Sequence, residues 1–229
     1  MFTLAIETSG PTGSVALLQT ETVLQQQTLD LGRKHAQSLI PRIQQLLKTG
    51  QLAPNQLGLI AVSIGPGSYT GLRVGVVTAK AFAFALGIPL VAVDTLEAIA
   101  WNAPADVTQL DVIADAQRGD VFVGRYVRTP ATRWSRSGPI MVVPASEWAQ
   151  ALPAEQTVTG PGLEKYSNLV VGNLRMLPAD SWVPSAVSIG QLGAGLLVAG
   201  HTVDVATIEP LYLRRSSAEV QWDRLHPPR

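Results

Sequence analysis

The feature that most restricts this chain is the run Ile64-Gly65-Pro66-Gly67-Ser68-Tyr69-Thr70-Gly71-Leu72-Arg73-Val74-Gly75. Residues 59–63 before it are a short apolar run that reads as a buried strand, and residues 76–86 after it, alanine-rich and without proline, read as a helix. Gly65 and Gly67 flank Pro66, which predicts a sharp turn through residues able to take positive φ. Ser68 or Thr70 can cap the helix and leave backbone N–H groups aimed into the turn. Strand, glycine turn and helix N-terminus form the geometry that cradles phosphates. A plain strand-to-helix connection has the same appearance.

The helix carries a second signal. Gly71, Gly75, Ala79 and Ala83 recur at every fourth residue and make one smooth stripe. Two glycines in a helix cost about 0.8–1 kcal/mol each relative to alanine, so a closely approaching backbone should offset them. That backbone can be the chain's own sheet or a helix from a partner, and the spacing alone does not choose.

Composition bears on what the protein can do. There is no cysteine among the 229 residues, so neither a disulfide framework nor a Cys-ligated zinc site is available, and a reducing cytosol fits. The start, Met1-Phe2-Thr3-Leu4, enters a strand pattern with no basic segment, which argues against a signal peptide. The most apolar window, residues 81–101, is broken by Pro89, Asp94 and Glu97 and is not expected to span a bilayer. Lys plus Arg equals Asp plus Glu at 17 each, a poor basis for gripping nucleic acid unaided. Only 15% of residues are charged, which points to apolar surface left for a partner.

Taken in order, Thr3-Leu4-Ala5-Ile6 reads as a strand ending at Glu7, followed by a turn at Thr8-Ser9-Gly10, a returning strand at residues 14–18 and a third at 22–29. A carboxylate beside Thr8, Ser9 and glycines suits a nucleotide-phosphate or metal-water site, and suits an ordinary hairpin equally. Residues 33–48 read as a helix whose apolar positions, among them Leu39 and Ile43, exceed one stripe, with Pro41 predicting a kink or a start near Gln37. After the glycine turn and its helix, residues 90–93 give another strand. The second half repeats this order in reduced form: Asp115 stands in the place of Glu7, Gln117-Arg118-Gly119 is a turn, and Thr159-Gly160-Pro161-Gly162 echoes Ser63 to Gly67. These correspondences predict an α/β, duplicated βββαβα fold of the actin-like (ASKHA, ribonuclease H-like) class. The units are residues 1–103 and a smaller, degenerate 104–229.

Several stretches together resemble one family. They are Ala5-Ile6-Glu7-Thr8-Ser9 with Ser14-Val15-Ala16-Leu17, residues 35–39 with Pro41, and Gly65-Pro66-Gly67-Ser68-Tyr69-Thr70-Gly71-Leu72-Arg73. Asp115-Ala116 followed by Gly119, and Pro210-Leu211-Tyr212-Leu213-Arg214, complete the set. The chain resembles the TsaB (YeaZ) family over nearly its whole length. That resemblance implies a non-catalytic partner of TsaD, the subunit that transfers a threonylcarbamoyl group to the adenosine beside the tRNA anticodon. A TsaE-type ATPase would join the complex, and tRNA would be met through the partner. It implies a cytoplasmic protein with no cofactor or metal of its own, leaving open a nucleotide at the subunit junction.

The catalytic sister carries a His-x-x-x-His metal pair. Here the matching positions hold Thr95 and Ile99, and an isoleucine cannot ligate metal. His35, His201 and His226 are in no ligand spacing. The resulting assignment places the partner contact at His35, Leu39, Ile43, Gly71, Arg73, Gly75, Ala79 and Ala83, with self-association into a homodimer when the partner is absent. Glu7, Thr8, Ser9, Gly65, Gly67 and Ser68 are the nucleotide candidates. The arginines at 118, 125, 128, 133 and 136 are a solvated run or a weak phosphate contact. A small kinase and a peptidase are the alternatives. The second half lacks a long glycine-rich adenosine loop, and no Ser-His-Asp set can be assembled from three scattered histidines.

Overall fold

The computed structural model of the chain describes residues 1–30, 35–128, 134–214 and Trp222, with the side chains of Asp30 and residues 35–37 left aside. Its first sheet contains β1 (Phe2–Glu7), β2 (Thr12–Gln19), β3 (Thr22–Asp30), β4 (Leu57–Gly65) and β5 (Leu90–Asp94), in the order β3-β2-β1-β4-β5. The first three strands are antiparallel, and β4 and β5 add on in parallel. The second sheet contains β6 (Gln109–Gln117), β7 (Asp120–Val127), β8 (Ser135–Arg136), β9 (Met141–Pro144), β10 (Thr157–Thr159) and β11 (Arg175–Met176). Its order is β11-β10-β6-β7-β8, with β9 also paired to β7. Here β6 and β7 are antiparallel, while β10 joins β6 and β11 in parallel. The two sheets therefore share one topology, and the duplicated actin-like fold read from the sequence is the fold of the chain.

Among the described residues the sheets are covered by α1 (His35–Thr49), α2 (Tyr69–Leu86), α3 (Thr95–Ala100), α4 (Ala145–Gln150), α5 (Leu163–Tyr166) and α6 (Ala186–Val198). Strand alternation sorts the first sheet into two faces. Leu4, Ile6, Val15, Leu17, Ile60 and Val62 pack with α1 and α2. Ala5, Ala16, Leu18, Leu59 and Ala61 pack with α6 through Ala186, Ile189 and Leu192. The second sheet buries Leu110, Val112, Phe122 and Tyr126 against Leu96 and Ile99 of α3. Its other face meets Trp148 of α4 and Leu163 of α5.

Three expectations change here. α6 and residues 203–208 come from the stretch assigned to the second unit, yet they complete the first sheet, with Val203 N–H donating to Leu90 O at 3.0 Å. The boundary at residue 103 is therefore not where the packing divides. α1 runs from His35 through Pro41, instead of starting near Gln37, and buries one face. Leu39 and Ile43 lie in the core at 0% exposure and cannot touch a partner, while Ile40, Pro41, Arg42, Gln44 and Gln45 face outward.

The stripe on α2 faces inward as well. Gly71, Gly75, Ala79 and Ala83 are all buried, and a Cβ on Gly71 would collide with the Thr8 carbonyl oxygen, one on Gly75 with Thr8 Oγ1. The close-approaching backbone is the chain's own β1–β2 turn, so the stripe is corrected from a partner contact to an internal packing seam. Gly75→Leu should then destabilise the isolated chain by about 1–3 kcal/mol or more, as overpacking does. For a chain of this size that is a fall of roughly 2–4 °C per kcal/mol in melting temperature. Thermal unfolding of the purified variant checks this, and an unchanged melting temperature would show the stripe to be unpacked.

Candidate functional site

All six nucleotide candidates meet at one place, where β1 and β4 end and α2 begins. Ser68 is the N-cap of α2, and its Oγ accepts from Gly71 N–H at 3.2 Å. Gly65 takes φ +113°, as the turn requires. Gly67 is needed for a different reason from the positive φ expected of it, because a Cβ there would stand 2.5 Å from Ser9 O. The site is closed by its own chain. Ser68 N–H donates to Ser9 O at 2.7 Å, and Thr8 Oγ1 donates to Gly71 O at 2.8 Å. Ser9 spends both its N–H and its hydroxyl on Glu7 Oε1, at 2.5 Å each.

Glu7 is fully buried, and burial raises its carboxyl above the ordinary range against the opposing pull of the Ser9 donors. Its Oε2 and the neighbouring Ser63 Oγ have no hydrogen-bond partner. A phosphate site needs N–H and hydroxyl donors directed at a gap, and here Ser68 N–H is spent on Ser9 O and Thr8 Oγ1 on Gly71 O.

The positions Thr95 and Ile99 do structural work instead of metal ligation. Thr95 Oγ1 accepts from Gly65 N–H at 3.1 Å and so steadies the glycine turn, while Ile99 lies in the core at 0% exposure. Beside them an acidic pair faces the second half. Asp94 caps α3 through Leu96 N–H at 2.8 Å, and its Oδ2 accepts from Tyr126 OH at 2.9 Å and Arg136 Nη1 at 2.8 Å. Burial raises the Asp94 carboxyl and pushes the Tyr126 hydroxyl further up. Glu97 is pushed up to about 7, first by burial and then by the Asp94 charge, with Arg136 opposing. Among the described residues, no three His, Asp or Glu side chains converge as metal ligands.

The arginine run is largely engaged inside the molecule. Arg125 forms a fork on the buried Asp111, at 2.7 and 3.0 Å. Arg136 is held by Asp94, and Arg128 donates to Ala103 O and Pro104 O while stacking on Trp134. Arg118 is exposed, and Arg133 lies outside the described residues.

What remains open is the outward face of α2. Val77 is 64% exposed and Phe84 82%, with Ala81 and Ala85 exposed between and beside them. A helix apolar on all sides is stable when both sides are covered, and the described residues cover only one. The sequence carries a signal for this face beside the glycine stripe, since Val77, Ala81 and Phe84 at i, i+4 and i+7 form an apolar row. Of the described side chains assigned to the contact, only that of Arg73 lies on exposed surface. The His35 side chain lies outside the described residues. At the head of the face a groove of about 640 Å³ opens between α2 and residues 208–214, with Arg73 stacked on Tyr69 and Tyr212.

Glu97 gives the site a pH signature. Between about 4.5 and about 7 the folded chain holds a proton that the unfolded chain has released. Stability contributed at this position therefore falls as pH rises through that window. The gain in unfolding free energy of Glu97→Gln over the parent should be larger near pH 8 than near pH 5, read by urea unfolding at both. A gain independent of pH would show that Glu97 titrates normally.

Comparison with known proteins places this geometry. A family model described as TsaD, tRNA N6-adenosine threonylcarbamoyltransferase, matches residues 23–165. The tRNA threonylcarbamoyladenosine biosynthesis protein TsaB of Bacillus subtilis (strain 168) is 31% identical, over 97% of this chain and 98% of the relative. TsaB of Escherichia coli (strain K12) is 29% identical, over 97% of each. The solved structure of YeaZ from Pseudomonas aeruginosa superposes with a TM-score of 0.82 at 28% identity, covering 93% of this chain and 99% of that one. In sequence and in fold alike, the chain belongs to the TsaB (YeaZ) family.

Proposed function

We propose that this chain is a non-catalytic subunit that pairs with a TsaD-type transferase in building threonylcarbamoyladenosine on tRNA. The observation that carries the reading is the outward face of α2, an apolar row on a helix whose other side is already packed. The partner fits because the family model matching this chain is that of the transferase, so the two subunits share a fold and can meet helix to helix. The relatives named TsaB supply the pathway.

The non-catalytic part is supported by the closed turn and by Thr95 and Ile99, which stand where the catalytic sister would carry its metal pair. A TsaE-type ATPase and tRNA reach it through the transferase, in the cytoplasm. With the partner absent, the same row can cover itself in a second copy. The kinase alternative loses its main support when Thr8, Ser9 and Ser68 spend their donors on one another and on the chain, and the purified chain alone should hydrolyse no ATP.

The test is to place charge on the row. Val77→Glu and Phe84→Glu should leave the isolated chain folded, with the parent's circular dichroism and melting temperature. Each should weaken binding to the cognate TsaD-type subunit by about 2 kcal/mol or more, roughly 30-fold in Kd, as truncation at the centre of an interface does. Modification of unmodified tRNA by the reconstituted proteins should fall with it. Normal co-purification of the double variant would place the interface elsewhere.

A further inference from the structure

The segment that follows α6 does more than close the chain. Val203 joins the edge of β5, and Ile208 enters the core beneath α2, where Lys80 Nζ donates to Ala206 O at 3.0 Å. Leu211 N–H then donates to Ile64 O at 2.7 Å, at the last turn of β4 before the glycine turn. Tyr212 OH accepts from Arg73 Nε at 2.9 Å, and its ring lies 4.9 Å from that of Tyr69 on the first turn of α2. Leu213 packs into the core shared by α3 and the second sheet.

Arg214 ends the path on the other half of the molecule. Its Nη1 donates to Ala116 O at 2.6 Å and Gln117 O at 3.0 Å, and pairs with Asp120 Oδ2 at 3.0 Å. Those acceptors belong to the β6–β7 hairpin, a two-residue turn in which Arg118 and Gly119 both take positive φ. Within twelve residues, one segment, turning once at residues 205–207, thus touches the edge of the first sheet, the head of α2, the glycine turn and the second half.

We propose that residues 203–214 are a strap through which the second half sets the position of α2. Arg214 and Tyr212 are its positioning residues. The β6–β7 hairpin holds Arg214, Arg214 fixes the register of Leu211 and Tyr212, and these hold Ile64 and the first turns of α2, from Tyr69 to Arg73. Movement between the halves is transmitted to the outward face of α2 along this segment. The link to partner binding rests on the reading that this face receives the transferase.

The test separates the two claims. In the full chain, hydrogen exchange is followed in Arg214→Gln and in Asp120→Asn, which loosen the strap from opposite sides. Exchange should rise by about fivefold or more, not only in residues 115–120 but also at Leu211 and in residues 69–76 of α2. Should Arg214→Gln fail to fold, Asp120→Asn and Tyr212→Phe, which removes only the hydroxyl that Arg73 binds, probe the same path. A rise confined to the hairpin overturns the strap.

This readout needs no partner, so it stands apart from the interface reading that Val77→Glu tests. If α2 also presents the partner surface through the strap, Asp120→Asn should weaken binding to the TsaD-type subunit by about fivefold, from a position in the second half. Unchanged affinity alongside spreading exchange overturns the link between strap and partner.

Discussion

The first half of the molecule depends on the seating of α2 against the turn between β1 and β2. Gly71 and Gly75 bring the helix so near that Thr8 lies against its backbone and bonds to Gly71 O. Ser68 N–H meets Ser9 O at the same junction. Two glycines in a helix are locally unfavourable, and the gain lies in what their absent side chains permit. One contact has two results. It consumes the donors that a phosphate would need, and it fixes which side of α2 is left facing outward.

Charge is spent in the same inward way. The chain is formally neutral, and its partly buried ionic groups are tied to specific partners: Arg125 to Asp111, Arg136 and Tyr126 to Asp94, Arg214 to Asp120. The last two sets join segments of the two halves. Their worth is more in orientation than in net stability, because partly exposed ion pairs contribute little.

Much of this was legible in the residues. Strand alternation and the echo of Ser63 to Gly67 in Thr159 to Gly162 located both sheets and the duplication. The cap at Ser68 and the turn at Arg118-Gly119 were legible from local chemistry. Other features were not, for physical reasons. A stripe of small residues states that something approaches closely, but not whether it comes from the same chain, so Gly75 and Ala79 were assigned outward. Leu39 and Ile43 were assigned to a contact because α1 has more apolar residues than one stripe needs, and among the described side chains the surplus is Ile40. Gly67 looked like a φ requirement and is a clearance requirement. The return of α6 to the first sheet bridges the whole stretch from Asp94 to Ala186, a separation at which no local pattern speaks.

That return also sets an order of events during synthesis. The far face of the first sheet, with Ala5, Leu18, Leu59, Ala61, Val91 and Val93, is covered by Ala186, Ile189 and Leu192. Until α6 has emerged from the ribosome, this apolar face has little cover beyond Ala98 and Trp101, although the strands beneath it were made long before. The nascent first half is therefore not a finished unit waiting for a second, but an open layer exposed to aggregation or to chaperones. Its completion comes only after the strands of the second sheet have been made, when α6 closes one face and the segment behind it reaches across to the other half.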